Sequence, residues 1–339
     1  MAPKPPVLEA TRLVREGRVK EAASLLQRAL GWARRRSGNE EQVFTTLPEI
    51  GMNGSQVFAP RRKPDDAQFQ ARTFTGQTGA REYKLFIPAQ LPPRPALLLM
   101  LHGCTQGPDD FAAGTRMNAL AEEAGMLVAY PEQSAQANPS RCWNWFNPAD
   151  QQRGLGEPAI LAGIARQVIQ EFGVDARRVF AAGLSAGGAK AAILGQTYPE
   201  LFSAVGVHSG LACGAARDLP TAFTAMRKGK TLEAPTARSV RAIVFHGDRD
   251  ATVHPRNGDL VAEQARAGAA YAVRVFEEAG PGGGMVRRTL HTGPAGRPML
   301  EHWLVHGGGH AWFGGSPTGS FTEQTGPDAS REMLRFFFS

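Results

Sequence analysis

The 339-residue sequence has no run of 18 apolar residues, which excludes a membrane-spanning helix. Its first residues, Met-Ala-Pro-Lys-Pro-Pro, lack the continuous apolar core of a signal peptide. The chain as written is therefore expected to stay in the cytoplasm unless a leader has been removed. Cysteine is scarce: Cys104, Cys142 and Cys213 cannot build a disulfide scaffold, although one pair can form. There is no zinc-finger spacing and no aromatic RNA-binding signature, so no nucleic-acid partner is expected. His302 and His306 stand four apart, a spacing that makes a metal site only on a helix, and their segment reads as strand. No metal or organic cofactor is expected. Gly280–Gly284 precedes a strand and no helix, so it reads as a plain loop rather than a phosphate cradle.

What is present is an ordinary globular composition, 42% hydrophobic and 8% aromatic, long enough for one large α/β domain plus an appendage. Positive charge is concentrated at the start. Residues 1–36 hold nine Lys/Arg against three Glu, so six of the seven net charges lie there. That stretch shows helical periodicity twice (Leu8, Leu13, Val14; then Val19, Ala22, Leu25, Leu26, Ala29, Leu30), with Glu16-Gly17-Arg18 between as a turn. It is expected to form a basic helical hairpin that buries its apolar face on the main domain or on another subunit, a route to self-association. Its basic face reads as solvated rather than as an anion-binding surface. Residues 37–68 read as a linker, and residues 69–339 as the catalytic domain.

Within that domain, strand-like runs are expected at Ala71–Phe74, Glu82–Ile87, Ala96–Leu101, Met126–Tyr130, Arg178–Ala182, Ala204–His208 and Val240–Phe245. Late strands follow at Ala272–Glu277, Val286–Thr292 and Leu300–Val305. Helical segments separate the central runs at about 108–124, 157–173, 186–198 and 255–270, and Arg331–Phe338 closes the chain. Strands alternating with helices predict an α/β fold, a mostly parallel sheet covered on both faces.

The chain is organised around Val179-Phe180-Ala181-Ala182-Gly183-Leu184-Ser185-Ala186-Gly187-Gly188. With 13 serines and 39 glycines, Gly-x-Ser-x-Gly arises by chance about 0.2 times, so the bare pattern is weak. Its context raises its worth: an apolar strand runs into it and an Ala-rich helix begins at once, as a nucleophile elbow requires. Gly183 and Gly187 would keep the turn free of clashes and leave Ser185 at its apex.

A serine hydroxyl needs a base, and the base needs a carboxylate to hold its tautomer. Downstream, a loop after a core strand reads Phe245-His246-Gly247-Asp248-Arg249-Asp250-Ala251-Thr252-Val253, and a later one Gly307-Gly308-Gly309-His310-Ala311-Trp312. The order Ser, Asp, His is that of α/β-hydrolases. Among eight histidines, His310 is the candidate base because three glycines let its loop approach Ser185 without strain. His208 and His246 end core strands and read as structural. His102 lies upstream, His254 at a helix start, and His291, His302 and His306 in or beside late strands. Asp250 is favoured as the acid over Asp248, which could cap the turn. The oxyanion would be held by the N–H groups of Ala186 and, from the loop Leu101-His102-Gly103-Cys104-Thr105-Gln106, of Cys104. Candidate substrate-binding residues are His102 and Gln106 of that loop, Trp143 and Trp145 if their loop lies over the mouth, and Trp312.

Six motifs together resemble the poly(3-hydroxybutyrate) depolymerase family of esterases, whose members include feruloyl and acetylxylan esterases. They are Leu-His-Gly-Cys-Thr-Gln, Arg-Cys-Trp-Asn-Trp-Phe at 141–146, Arg153 to Glu157, Gly-Leu-Ser-Ala-Gly-Gly, His-Gly-x-x-Asp-x-Thr-Val and Gly-His-Ala-Trp. The resemblance covers about residues 70–338. It implies an α/β-hydrolase fold, a Ser185–Asp250–His310 triad and a disulfide between Cys104 and Cys142. It also implies a serine esterase acting on polyhydroxyalkanoate-type polyesters or oligomers and on short-chain or aryl esters, with soluble oligomers favoured over crystalline polymer. A carbohydrate esterase of the feruloyl or acetylxylan type is the neighbouring alternative. A peptidase or thioesterase on the same fold is a further one, and a non-catalytic polymer-granule protein is the rival from another class.

Overall fold

A computed structural model describes residues 67–229, 240–266 and 269–339. The helical hairpin and most of the linker expected at the start of the chain lie outside the described residues. β1 (Gln68–Gly76) and β2 (Gly79–Ile87) form an antiparallel hairpin in unbroken register. Then follow β3 (Leu97–Leu101), α1 (Pro108–Thr115), α2 (Met117–Ala124), β4 (Leu127–Pro131), α3 (Gly156–Phe172), β5 (Val179–Leu184) and α4 (Ala186–Thr197). The second half adds β6 (Ala204–His208), α5 (Leu219–Lys228), β7 (Arg241–Gly247), α6 (Arg256–Arg266), β8 (Ala272–Ala279), β9 (Met285–Thr292) and β10 (Pro298–Val305). Two short strands, β11 (Trp312–Phe313) and β12 (Thr322–Glu323), and α7 (Ala329–Phe338) end the chain.

Ten strands make one sheet in the order β1-β2-β4-β3-β5-β6-β7-β10-β9-β8. Its centre, β4-β3-β5-β6-β7-β10, is parallel, and antiparallel hairpins close both edges. The central strands are apolar throughout because both faces are covered. Period-two alternation divides them between two cores: Leu97, Leu99 and Leu101 join the cluster shared with α3, α4 and α6, whereas Leu98 and Met100 join that of α1, α2 and α7. Each cluster is the inner layer of a sandwich, so the doubly covered sheet expected from the sequence is observed.

Two local features differ from the sequence reading. The helix expected over 108–124 breaks at Arg116, which takes a left-handed φ of 53°. Thr115 turns its hydroxyl back onto the Phe111 carbonyl (2.8 Å), and Arg116 donates to the Gly314 carbonyl (2.7 Å), so tertiary contact holds the break. The segment 219–228, for which the sequence predicts no helix, is one. Asp218 caps it in a reciprocal box with Thr221, Pro220 stands in its first turn, and Arg227 and Lys228 sit in its last.

Candidate active site

Parallel pairing makes β3, β5, β7 and β10 end on the same edge of the sheet, where open α/β sheets place their ligands. Each is followed there by one of the segments singled out above. At the end of β5 the backbone turns so sharply into α4 that Ser185 has φ 58° and ψ −118°, a conformation β-carbon residues rarely adopt. The glycines on either side are needed for space. A Cβ at Gly187 would lie 1.9 Å from the Leu101 carbonyl oxygen, and one at Gly183 would lie 2.5 Å from the same atom. The turn is fixed by two backbone bonds, Ser185 N–H to the His208 carbonyl (2.9 Å) and Ala189 N–H to the Ser185 carbonyl (2.9 Å).

The structure brings Ser185, His310 and Asp250 together. His310 Nε2 lies 2.9 Å from Ser185 Oγ, and His310 Nδ1 lies 2.7 Å from Asp250 Oδ2. An ionised carboxylate only accepts, so Nδ1 carries the ring proton and Nε2 presents its lone pair to the serine hydroxyl. Asp250 is buried, and its other oxygen accepts the N–H groups of Thr252 (2.9 Å) and Val253 (2.8 Å). Burial pushes this carboxyl upward, but bonds from His246 and His310 outweigh it and hold it well below the usual carboxylate range. Asp250 is therefore an anion at any pH where His310 works.

Three further histidines, His208, His246 and His302, stand on core strands beside the site. His208 is stacked between Phe245 and Trp312 and accepts the Phe313 N–H at 3.1 Å; burial holds its ring neutral, well below the ordinary histidine range. His246 is buried, and its Nε2–H is shared between the Val253 carbonyl (2.8 Å) and Asp250 Oδ2 (3.4 Å). His302 lies in β10, and burial pushes it down to about 4. Among the described residues no group of three or more His, Cys, Asp or Glu side chains is placed to hold a metal ion.

The loop after β3 approaches Ser185 from the other side. Ala186 opens α4, so its N–H has no partner within the helix. The Cys104 N–H makes no hydrogen bond among the described residues, whereas the neighbouring Gly103 N–H is taken by Gln106 Oε1 (2.9 Å). Cys104 is disulfide-bonded to Cys142.

The substrate-binding assignments need correction. His102 is buried, donates Nδ1–H to the Gly103 carbonyl (2.7 Å) and accepts the Gln133 N–H at Nε2 (3.0 Å); burial pushes its imidazole down to about 4. Gln106 is buried too. Its amide donates to Asp110 and to the Ser320 carbonyl, and its oxygen braces Gly103, so it supports the loop instead of meeting substrate. Trp143 is fully buried and its Nε1–H donates to the His102 carbonyl (3.1 Å). Trp145 is buried edge-on against Phe146. Trp312 is buried on His208 and donates to Ser330 Oγ (3.0 Å). His102, Gln106, Trp143 and Trp312 thus satisfy their polar groups inside the protein, whereas Trp145 is held by packing alone among the described residues.

Sequence reasoning missed the network beneath this loop. Lys190 of α4, fully buried, pairs with Glu157 of α3 (2.8 Å) and donates to the Asp150 carbonyl (2.8 Å). Glu157 also accepts from Gln133 Nε2, from Asn144 N–H and from Asn144 Nδ2. Gln133 in turn holds His102, and Asn144 follows the Trp143 that donates to His102. A lysine standing alone in the Ala- and Gly-rich run 186–195 was the available signal.

The profile of the family described as Esterase PHB depolymerase matches residues 82–273. Poly(3-hydroxyalkanoate) depolymerase C of Paucimonas lemoignei is 28% identical over 254 residues, 71% of this chain and 61% of that protein. Feruloyl esterase B of Neurospora crassa is 29% identical over 198 residues, 53% of this chain and 66% of its own. The match thus spans about three fifths of the depolymerase and about two thirds of the feruloyl esterase. Among solved structures, an acetyl xylan esterase from Aspergillus awamori superimposes with a TM-score of 0.65 at 22% identity, over 80% of this chain and 99% of the other. That similarity gives the fold, the α/β-hydrolase fold.

Proposed function

The chain belongs to the esterase PHB depolymerase family, and from that premise we propose that it is a serine esterase acting through an acyl-enzyme. One observation carries this reading: Ser185 Oγ, His310 and Asp250 are joined by bonds of 2.9 and 2.7 Å. His310 takes the hydroxyl proton as Ser185 attacks the ester carbonyl. The N–H groups of Ala186 and Cys104 receive the developing oxyanion, an interaction whose loss typically costs about 10²- to 10³-fold in rate per donor. His310 then hands its proton to the leaving alcohol, and a water activated by the same ring releases the acid. Asp250, already ionised, stabilises the imidazolium at each stage.

The substrates proposed are polyhydroxyalkanoate-type polyesters or oligomers and short-chain or aryl esters. The relatives named above support the feruloyl and acetylxylan classes as the neighbouring alternative. The Cys104–Cys142 bridge supports an oxidising compartment as the place of work, because cytoplasmic thiols are kept reduced. The basic stretch 1–36 remains proposed as the element of self-association.

The test is hydrolysis of p-nitrophenyl esters from acetate to octanoate, together with methyl ferulate, acetylated xylan and hydroxybutyrate oligomers, with Ser185→Ala as control. Release from short acyl esters that disappears in Ser185→Ala is the expected result, and the ranking of the panel selects the substrate class. A folded protein inert to every ester sinks the reading.

A further inference from the structure

The loop that delivers His310 begins with three glycines, which permit close approach but leave the chain conformationally free. Packing holds it only at its middle residue, where a Cβ added at Gly308 would meet the Phe313 ring at 2.8 Å. A Cβ added at Gly307 or at Gly309 would meet nothing within 4 Å, and Gly307 itself sits at φ 80°. On either side of Gly308, hydrogen bonds must therefore add to packing in fixing where the imidazole lies.

Asp248 is the group placed to do so. Its Oδ1 accepts the Gly307 N–H at 2.7 Å, and its Oδ2 lies 2.8 Å from His306 Nδ1. One carboxylate thus grips two consecutive residues at the point where β10 gives way to the glycine loop. Two backbone bonds extend the contact: Asp248 N–H to the Val305 carbonyl (3.1 Å) and Arg249 N–H to the Gly308 carbonyl (3.0 Å). Asp248 also stands two residues before Asp250, and His306 four before His310. The two loops are therefore joined by a pair of Asp–His contacts, one at the reacting group and one behind it.

We propose that Asp248, acting with His306, is a positioning residue that sets the approach of His310 to Ser185. This rests on the esterase reading above. Both side chains are about a third exposed, and neither touches Ser185 Oγ, so they act through the loop and not on the substrate. An isolated exposed pair of this kind contributes little to stability. Its effect is expected in rate, because small displacements of a reacting group cost up to about 100-fold.

The test compares Asp248→Ala, Asp248→Asn and the unaltered full-length protein on p-nitrophenyl acetate. Alongside, NMR follows the far-downfield proton of the Asp250–His310 hydrogen bond. Asp248→Ala is expected to lower kcat about 10- to 100-fold with KM within twofold, and to broaden the downfield resonance while the thermal midpoint changes little. Asp248→Asn keeps an oxygen for the Gly307 N–H and an N–H₂ for a neutral His306, and is expected to recover kcat to within about threefold of the unaltered protein. If Asp248→Ala does not fold, His306→Ala, which leaves the Asp248–Gly307 bond intact, carries the test with an expected loss of about 3- to 10-fold.

A kcat within twofold of the unaltered protein and an unmoved resonance in Asp248→Ala, or failure of Asp248→Asn to recover, overturns the proposal. Failure of the esterase reading is separable: the unaltered protein is then inert to esters, while the resonance still reports whether Asp248 holds the His310 loop.

Discussion

The two sides of the Ser185 cleft are built by different means. On the oxyanion side, the 102–107 loop is tied by the Cys104–Cys142 bond and by the buried set of Lys190, Glu157, Gln133, Asn144 and His102. On the acid–base side, Asp250 and His310 sit on two loops joined by a buried pair at the reacting group and by the Asp248–His306 pair, which reaches toward solvent. The first side is part of the core; the second rests on it. Damage to the first should therefore appear mainly as lost stability, and damage to the second mainly as lost rate.

The largest effect expected is on the second side. His310→Ala removes the base and should lower kcat on p-nitrophenyl acetate by about 10⁴-fold or more while the urea midpoint stays close to that of the unaltered protein. A comparable fall in stability would erase the distinction between the two sides. Next comes Lys190→Met, which strands the buried Glu157 carboxylate; urea unfolding should show a loss of about 3–5 kcal/mol. Pairing it with Glu157→Met should return much of that loss, because the uncompensated charge is gone.

Cys142→Ser opens a bridge spanning 38 residues and should cost about 2–4 kcal/mol in the same assay. The smallest effect concerns pH. Burial pushes His102 from 6.5 down to about 4, so between these values the unfolded chain binds a proton that the folded protein refuses. Stability supplied by the neutral ring is complete above 6.5 and falls with acidification, by about 2 kcal/mol at pH 5. His102→Gln should flatten that part of the stability–pH curve, and an unchanged slope would remove His102 from the account.

Much of this site could be read in the sequence because its constraints are local. Gly183, Ser185 and Gly187 report a tight strand-to-helix turn within five residues, and continuous apolar runs report strands covered on both faces. The order of Ser185, Asp250 and His310 follows from which strands carry them. What could not be read depends on side-chain direction in segments without periodicity. Trp143 and Trp145 lie in a loop of Asn, Gly and Pro, where no pattern tells inward from outward, and the indole of Trp143 finds its acceptor inside, on His102. Lys190 was hidden for the opposite reason: the helix around it is apolar on every side, and its partner Glu157 lies 33 residues earlier on another helix. The break at Arg116 is likewise decided by Gly314, almost two hundred residues away.

The crowding at the elbow and at the end of β7 has a consequence for how this protein can be altered. With Leu101 oxygen 1.9 Å from a would-be Cβ at Gly187, and the Gly308 oxygen 2.2 Å from one at Gly247, these positions accept no side chain without backbone movement. A saturation library would return glycine alone in both columns, whatever ester was used for selection. Variation that reshapes substrate choice must therefore enter from the surrounding surface loops, leaving the hinge between strand and helix as the invariant frame on which new specificities are tried.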